Sequence, residues 1–452
     1  MSTQGAREYR PKIHYSPETG WINDPNGLVH EAGTYHLFAQ HYPHDTRWGP
    51  MHWIHATSED LLHWQPRGIA LSPDEKLGLI FSGSAIIDAG NTSGLGDGVD
   101  PMIAVFTHHG ETAQQSIASS SDRIAFTQYA GNPVIPNPGL KDFRDPKVFR
   151  NDLLNCWSMV LAAGDRVEFY ASDDLIAWRK TGEFGAAENL AGGVFECPDL
   201  FPLAAPDGST HWALIASMTG PAEQGGSRTQ YFLGEFDGRA FRQHRSFGEV
   251  RRIDAGYDNY AAVSFNGAPE RLMMGWAASW VYAADTPTGP YCGSMTLARR
   301  PMLIDAGRGL RLAFAPVLPA APGLYPIGSG AALPGETFHL TLRAAGAFEA
   351  RLVNDRGECL RFGLADGQLY VDRSRAGERA FNRFYDSDLY QATRRPREGD
   401  GAMEMELVFD VCIAELFAPR EGYAHTALVY PTRPYAWLEL DGDASCAIRP
   451  LA

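Results

Sequence analysis

The chain has 452 residues, 44% of them hydrophobic and 21% charged, which is too long for one ordinary domain and marks a folded rather than a disordered protein. Its 54 acidic against 39 basic residues leave a formal net charge of −15, which argues against nucleic acid or an anionic membrane as partner, because both need a basic footprint. Six cysteines with no C-x-x-C or zinc-like spacing make neither a disulfide framework nor a metal site, and no apolar run of about 18 residues offers a membrane helix.

In chain order, Met1 to Glu8 has no apolar core, so no signal peptide is read there and a cytoplasmic location is the expectation. The first motif is Trp21-Ile22-Asn23-Asp24-Pro25-Asn26-Gly27, one carboxylate in a cluster of turn-forming residues. Such a turn can hold a short acid rigidly at the mouth of a site. Two more acids stand beside prolines downstream: Asp145 in Phe143-Arg144-Asp145-Pro146 and Glu196 in Phe195-Glu196-Cys197-Pro198-Asp199.

Between these motifs, helical periodicity is scarce. Short stretches rich in β-branched and aromatic residues dominate, among them Thr34 to Ala39, Met102 to Thr107, Trp157 to Ala162 and His211 to Ser217, which is an all-β pattern. A faint repeat runs through them: an apolar strand, Ser or Gly, then Asp, then an aromatic. Its copies end at Trp64, Phe126, Trp178 and Phe241, about 50–60 residues apart, the length of a four-stranded propeller blade. The region from about 10 to 300 holds about five such blades.

Beyond Arg300 the composition shifts. Leu318 to Gly330, rich in Pro, Gly and Ala, reads as a linker. Alternating strands then follow at Thr337 to Leu342, Phe348 to Val353, Leu369 to Asp372, Met403 to Phe409, Ile413 to Phe417 and Ala436 to Leu440, enough for a β-sandwich. The expected architecture is therefore all-β: a five-bladed β-propeller over 1–303, a linker over 304–332 and a C-terminal β-sandwich over 333–452.

Asp24, Asp145 and Glu196 each precede a blade-ending aromatic and so fall early in three different blades, from which they can converge on one end of the axis. Paired carboxyl groups meeting in a funnel suit glycoside hydrolysis, which needs one acid to protonate the leaving oxygen and another as nucleophile or base. The neighbours suggest a division of roles. Glu196, between apolar Phe195 and Cys197, is expected to stay protonated. Asp24, among asparagines and turn amides, is expected to stay ionised as a nucleophile, and Asp145, beside Arg144, to stay ionised as a stabiliser of positive charge.

These motifs resemble glycoside hydrolase family 32, the invertase, fructan hydrolase and sucrose-6-phosphate hydrolase family, over nearly the whole chain. Asp24 matches its nucleophile motif, Arg144-Asp145-Pro146 its transition-state-stabiliser motif and Glu196-Cys197-Pro198 its acid/base motif. His14, Trp48-Gly49, Asp254, Asp258, Thr286-Pro287-Thr288, Tyr370 to Ser374 and Asp410 to Phe417 also match. The resemblance implies a retaining mechanism through a covalent fructosyl-enzyme, with the two principal carboxyls about 5 Å apart and no metal or organic cofactor. It implies a substrate pocket drawn from Asn23, Gln40, Trp48, Phe81, Ser82, Arg144, Tyr260 and Trp280.

The departures are Ile54 for a usual Gly, Tyr291 for a usual Trp and Ala298 for a usual Pro; the first two are expected to touch the leaving-group side. The reading is a β-fructofuranosidase acting on a small-molecule sugar, sucrose or a short fructo-oligosaccharide. The alternatives are a fructosyltransferase, a sucrose-6-phosphate hydrolase or a non-catalytic fructan-binding protein. A phosphorylated substrate would want a cation, for which Arg47, Lys141 and Arg228 are available. Homo-oligomerisation and the choice among sucrose, inulin and levan stay open.

Overall fold

The computed structural model describes residues 8–189, 192–244, 250–305, 309–320, 323–399 and 401–452. Five antiparallel four-stranded sheets, four of them built from consecutive strands, stand around a common axis as a β-propeller. Their inner strands are Gly20–Glu31, Leu79–Ile87, Arg144–Asn151, Phe195–Ala204 and Tyr260–Ser264. The short strand Tyr291–Cys292 adds in parallel to the free edge of the first inner strand, pairing Gly20 with Tyr291.

Burial grades outward through each blade. Every residue of Cys156–Ala162, the second strand of blade three, is buried, while the outermost strand of blade one, Gln65–Leu71, is mostly exposed. Second strands are covered on both faces by neighbouring blades, so they read as continuous apolar runs. All four apolar runs picked out in the sequence between residues 34 and 217 are second strands.

The repeated Ser-x-Asp segments form the turns between third and fourth strands. Ser58, Ser120 and Ser172 each donate to the aspartate two residues on, at 3.0–3.1 Å. Those aspartates accept the following backbone N–H groups, and Leu61, Arg123 and Leu175 then turn left-handed. Blade four makes the same turn with Asp237 and Gly238. An Asx-capped turn of this kind satisfies its own amides, so one pattern can be reused in four places.

A polar plug closes the axis beneath the carboxylates. Buried Lys147 of blade three lies 3.4 Å from Asp199 of blade four and donates to the Ser264 carbonyl of blade five, while Asp199 accepts the Ser264 N–H at 2.5 Å. Asn266 donates to the carbonyls of Ala85 and Val148, in blades two and three, and its backbone pairs with Leu28 and His30 of blade one. These two groups tie all five inner strands together.

The second domain is a sandwich-like sheet. The long strand Thr337–Val353 bends at a register shift between Ala344 and Phe348; its first half pairs with Met403–Asp410 and its second with Cys359–Ala365. Phe338, Leu340, Phe362, Leu407, Leu416 and Ile448 fill its interior. The domain boundary differs from the expectation of 303 and 333. Arg299–Asp305 and Leu310–Pro316 are the outer strands of blade five, and Tyr325–Ile327 already pairs with the last strand of the sandwich. The propeller's last strand thus ends at Pro316, and the sandwich's pairing starts at Tyr325. The Pro- and Gly-rich composition concealed the short strand Tyr325–Ile327, because Pro326 sits on an edge strand where no ladder N–H is required.

Buried ion pairs bind the domains. Arg299 reaches Asp254 at 2.7 Å and Glu415 at 2.6 Å; Arg373 reaches Asp258 at 2.5 Å. His14 bridges Asp410 and Glu415 at 2.8 and 3.0 Å. Burial alone would lower the His14 pKa, but hydrogen bonds and charge from the two carboxylates outweigh it and raise the value to about 9. The motif residues His14, Asp254, Asp258, Arg373, Asp410 and Glu415 therefore belong to the interdomain contact.

Candidate active site

The three acids lie near the starts of the inner strands of blades one, three and four. Each of these strands breaks register there: between Asn23 and Pro25, opposite Val160 to Ala162, and between Glu196 and Asp199. Asp24 is the unpaired residue in the first strand, while Asp145-Pro146 and Cys197-Pro198 fall in the unpaired stretch of the other two, where the missing N–H of Pro146 or Pro198 costs little. Asp145 at φ 65° and Cys197 at φ 44° adopt the left-handed region, a strained conformation for both. The acid-beside-proline pattern is thus the local signature of a bulge that turns a side chain toward the axis.

Neighbouring blades complete each acid's surroundings. Ser82 Oγ of blade two donates to Asp24 Oδ2 at 2.7 Å, and Asp24 Oδ1 is buried without a hydrogen-bond partner. Gly83 is required beside Ser82: a Cβ there would lie 2.1 Å from the Val105 carbonyl oxygen. Cys197 joins two of the acids. Its backbone N–H donates to Asp145 Oδ2 at 2.9 Å, and its Sγ lies 3.5 Å from Asp24 Oδ2 and 3.7 Å from Asp145 Oδ2. Arg144 Nη2 donates to Glu196 Oε1 at 2.7 Å, Nη1 to Asp142 at 2.6 Å, and Nε lies 3.9 Å from Asp145. Tyr260 of blade five donates its hydroxyl to Glu196 Oε2.

The electrostatics depart from the expectation drawn from sequence neighbours. Glu196 is faced by Arg144 and Tyr260; Phe195 turns into the hydrophobic core between blades three and four. Asp145 rises to about 7, because its burial outweighs Arg144 and because Glu196 and Asp24 repel its charge. Asp24 is also raised, by burial first, with hydrogen bonds from Asn23, Ser82 and Cys197 opposing and Glu196 adding to the rise. Both aspartates were expected to ionise readily from their turn amides and from Arg144. In the fold, three carboxylates share a largely enclosed space with one arginine.

Of the expected pocket residues, Asn23 is buried and accepts a hydrogen bond from Trp21 Nε1 at 2.7 Å. Gln40 is Asn23's strand partner and keeps a buried Nε2 without a hydrogen bond. Trp280 stacks on Trp21 at 5.7 Å and tilts against Trp276 at 5.0 Å, forming an aromatic wall beside Asn23. A second wall runs from Trp48, 47% exposed, to Phe81 at 6.1 Å and on to His109, stacked on Phe81 at 4.5 Å. Flat apolar rings around convergent polar atoms suit a sugar, whose ring has one apolar face and a rim of hydroxyls.

Tyr291 does not lie on a leaving-group side: it is buried, donates its hydroxyl to the Tyr9 carbonyl at 2.7 Å and lies under Arg10. Ile54 packs against the core shared by the first and last blades, between its strand partners Ala39 and Ile69. Of the available cations, Arg47 stands exposed beside Trp48 and pairs with Asp285 at 3.1 Å, and Arg228 is buried elsewhere. Cys197, Lys147 and Asp199 were missed as parts of the site. The last two lie two residues after Asp145 and three after Glu196, on the same inner strands, and that spacing was their available signal.

Comparison with known proteins agrees with this architecture. The model of the glycosyl hydrolases family 32 N-terminal domain matches residues 14–316, and that of the family 32 C-terminal domain matches 333–445. The chain is similar to a levanase of Bacillus subtilis, at 39% identity over 96% of this chain and 68% of the levanase. It superposes on the crystal structure of exo-inulinase from Aspergillus awamori with a TM-score of 0.88, at 30% identity over 99% of both chains. A fructofuranosidase from Schwanniomyces occidentalis, complexed with fructose, gives a TM-score of 0.87 at 28% identity, again over 99% of both.

Proposed function

Because the chain belongs to glycoside hydrolase family 32 and is a fructosyl hydrolase of that family, we propose that it removes terminal β-fructofuranosyl units from fructan chain ends and from sucrose, with Asp24, Glu196 and Asp145 in three distinct roles. The observation that carries this reading is the meeting of three carboxylates from three blades, joined through Cys197 and Arg144.

In the first step Asp24 attacks the anomeric carbon of the terminal fructosyl unit, and Glu196 gives its proton to the departing glycosidic oxygen. This leaves a fructosyl ester on Asp24. In the second step Glu196 takes a proton from water, the water oxygen attacks the same carbon from the face opposite Asp24, and the ester bond breaks. Two inversions give net retention. Asp145 accepts hydrogen bonds from ring hydroxyls. Its negative charge is costly in the empty site and is better compensated as positive charge develops on the sugar, so its interaction strengthens in the transition state.

Exo action is supported by the closed lower end of the funnel. Lys147, Asp199 and Asn266 block the axis, and Asn23, Gln40 and Asp145 are each no more than 6% exposed. A chain can enter such a blind site only by its end. The similar levanase and exo-inulinase support a polymer end as substrate, broader than the sucrose or short oligosaccharide expected from sequence.

The test is an activity panel of sucrose, sucrose 6-phosphate, inulin and levan with product analysis. Free fructose as the first and dominant product from inulin or levan is expected. Oligosaccharide fragments appearing first would contradict exo action, and transfer products exceeding free fructose at high sucrose would favour a transferase.

A further inference from the structure

Glu196 pairs across the sheet with Ser217, and Ser217 with Thr229, so Thr229 stands level with Glu196 two strands out, roughly 10 Å away. Next to Thr229 is Arg228, nine-tenths buried at 9% exposure. Its Nη1 donates to the carbonyls of Gly225 and Ser227, its guanidinium lies 3.9 Å from the Tyr257 ring centre, and its buried Nε has no hydrogen-bond partner. Gln230, on the same strand face, lies opposite Arg252 in an isolated backbone bridge and also keeps a buried Nε2 unpartnered.

The charges around these groups do not balance. The charged groups that bear on Arg252 besides Tyr257 are Arg228 and Arg395, and Arg228 in turn is opposed by Arg395. No carboxylate of the described residues is among them. After burial, that mutual repulsion holds Arg252 down at about 10 and lowers Arg228 as well. The acids nearby are occupied: Asp258 holds Arg373 and Asp254 holds Arg299. Exposed Glu223 bears on Tyr390, whose hydroxyl is given to the Ala222 carbonyl. In a protein with fifteen more acidic than basic side chains, three arginines gathered without a carboxylate among the described residues are a marked exception.

The geometry points to a binding site for a phosphate-class dianion, inorganic phosphate or a phosphate monoester, formed by Arg228, Gln230, Arg252 and Arg395 at the contact of blade four with the sandwich. Guanidinium forks match the tetrahedral oxygens of phosphate, and three cations suit a dianion better than a single carboxylate. Arg252 keeps part of its surface in solvent and Arg395 is half-buried, so the cluster is reached from solvent, while Arg228 is its buried member. Ser227 Oγ accepts the Trp280 N–H at 3.3 Å, which places the loop holding Arg228 against the aromatic wall of the active site. The site is independent of the roles assigned to the three acids.

The experiment titrates the full-length protein with inorganic phosphate at constant ionic strength, using calorimetry and thermal unfolding, with chloride as the balancing salt. Saturable binding and a raised unfolding midpoint are expected, with affinity about tenfold weaker in each of Arg252→Gln and Arg395→Gln, the worth of one charge-assisted hydrogen bond. Both variants should hydrolyse sucrose at the wild-type rate, which shows that they are folded. No phosphate-specific binding, or unchanged affinity in both variants, overturns the proposal. A parallel titration with glucose 6-phosphate separates the sources: tighter binding than phosphate assigns the site to a phosphorylated sugar, and equal or weaker binding assigns it to free phosphate.

Discussion

Replacing Asp145 with asparagine should make the protein more stable and nearly inactive at once. The carboxylate is 6% exposed and its pKa stands at about 7 against an ordinary value of 3.8. Burial is the main cause, and Glu196 and Asp24 add to it against the pull of Arg144. A raised carboxylate pKa means that the folded protein holds a proton the unfolded chain has released. Stability is therefore lost as pH rises from about 4 to about 7. The displacement is roughly 3 units at about 1.4 kcal/mol each, which caps the cost at about 4 kcal/mol, shared with the other two acids. The amide of Asp145→Asn would keep an oxygen for the Cys197 N–H and remove the charge. Thermal unfolding of the variant and the wild type should agree near pH 4 and diverge toward pH 8, with the variant melting several degrees higher there. The turnover number should fall by about a thousandfold, in the range for losing one preorganised charge in a transition state. A variant less stable than the wild type by the same amount at both pH values would refute the reasoning, because it would mean that the carboxylate is held by its partners rather than tolerated at a cost.

Two further outcomes follow from the buried charges. His14, raised to about 9 between Asp410 and Glu415, stabilises the domain contact fully below about pH 6.5 and loses that contribution as pH climbs through 9; His14→Gln should remove this alkaline slope from the unfolding curve and leave sucrose hydrolysis at pH 6 intact. Lys147→Met alone strands the Asp199 carboxylate beneath the site and should cost roughly 3–5 kcal/mol, whereas Lys147→Met with Asp199→Leu should recover most of that stability. If the plug also sets the spacing of the acids, the double variant should keep its KM and lose turnover.

Sequence revealed the parts of this protein that are local. The Ser-x-Asp turns were readable because each satisfies its own amides within a few residues, and the second strands because both their faces are covered. Blade five was harder: its inner strands Tyr260–Ser264 and Met273–Trp276 are short, and its outer pair fell where proline and glycine suggested a linker. The three acids were recognisable from their prolines, but the groups that surround their carboxyls were not. Arg144 and Tyr260 reach Glu196 from 52 and 64 residues away, and the burial of Asp145 depends on blades one and four closing over it. Flanking residues on an inner strand point away from the acid they flank, so Phe195 said nothing about the surroundings of the Glu196 carboxyl. Tyr291 misled in the same way, since its site is set by Tyr9 and Arg10, more than 280 residues away in the chain.

The account rests on Asp24 attacking the sugar and Glu196 moving the proton, and azide rescue with an aryl β-fructofuranoside separates these roles. In Asp24→Ala, azide should enter the vacated nucleophile's place and give the α-fructosyl azide by a single inversion. In Glu196→Ala, azide should intercept the fructosyl-Asp24 ester and give the β-fructosyl azide. The β product from Asp24→Ala, or the α product from Glu196→Ala, would contradict the assignment.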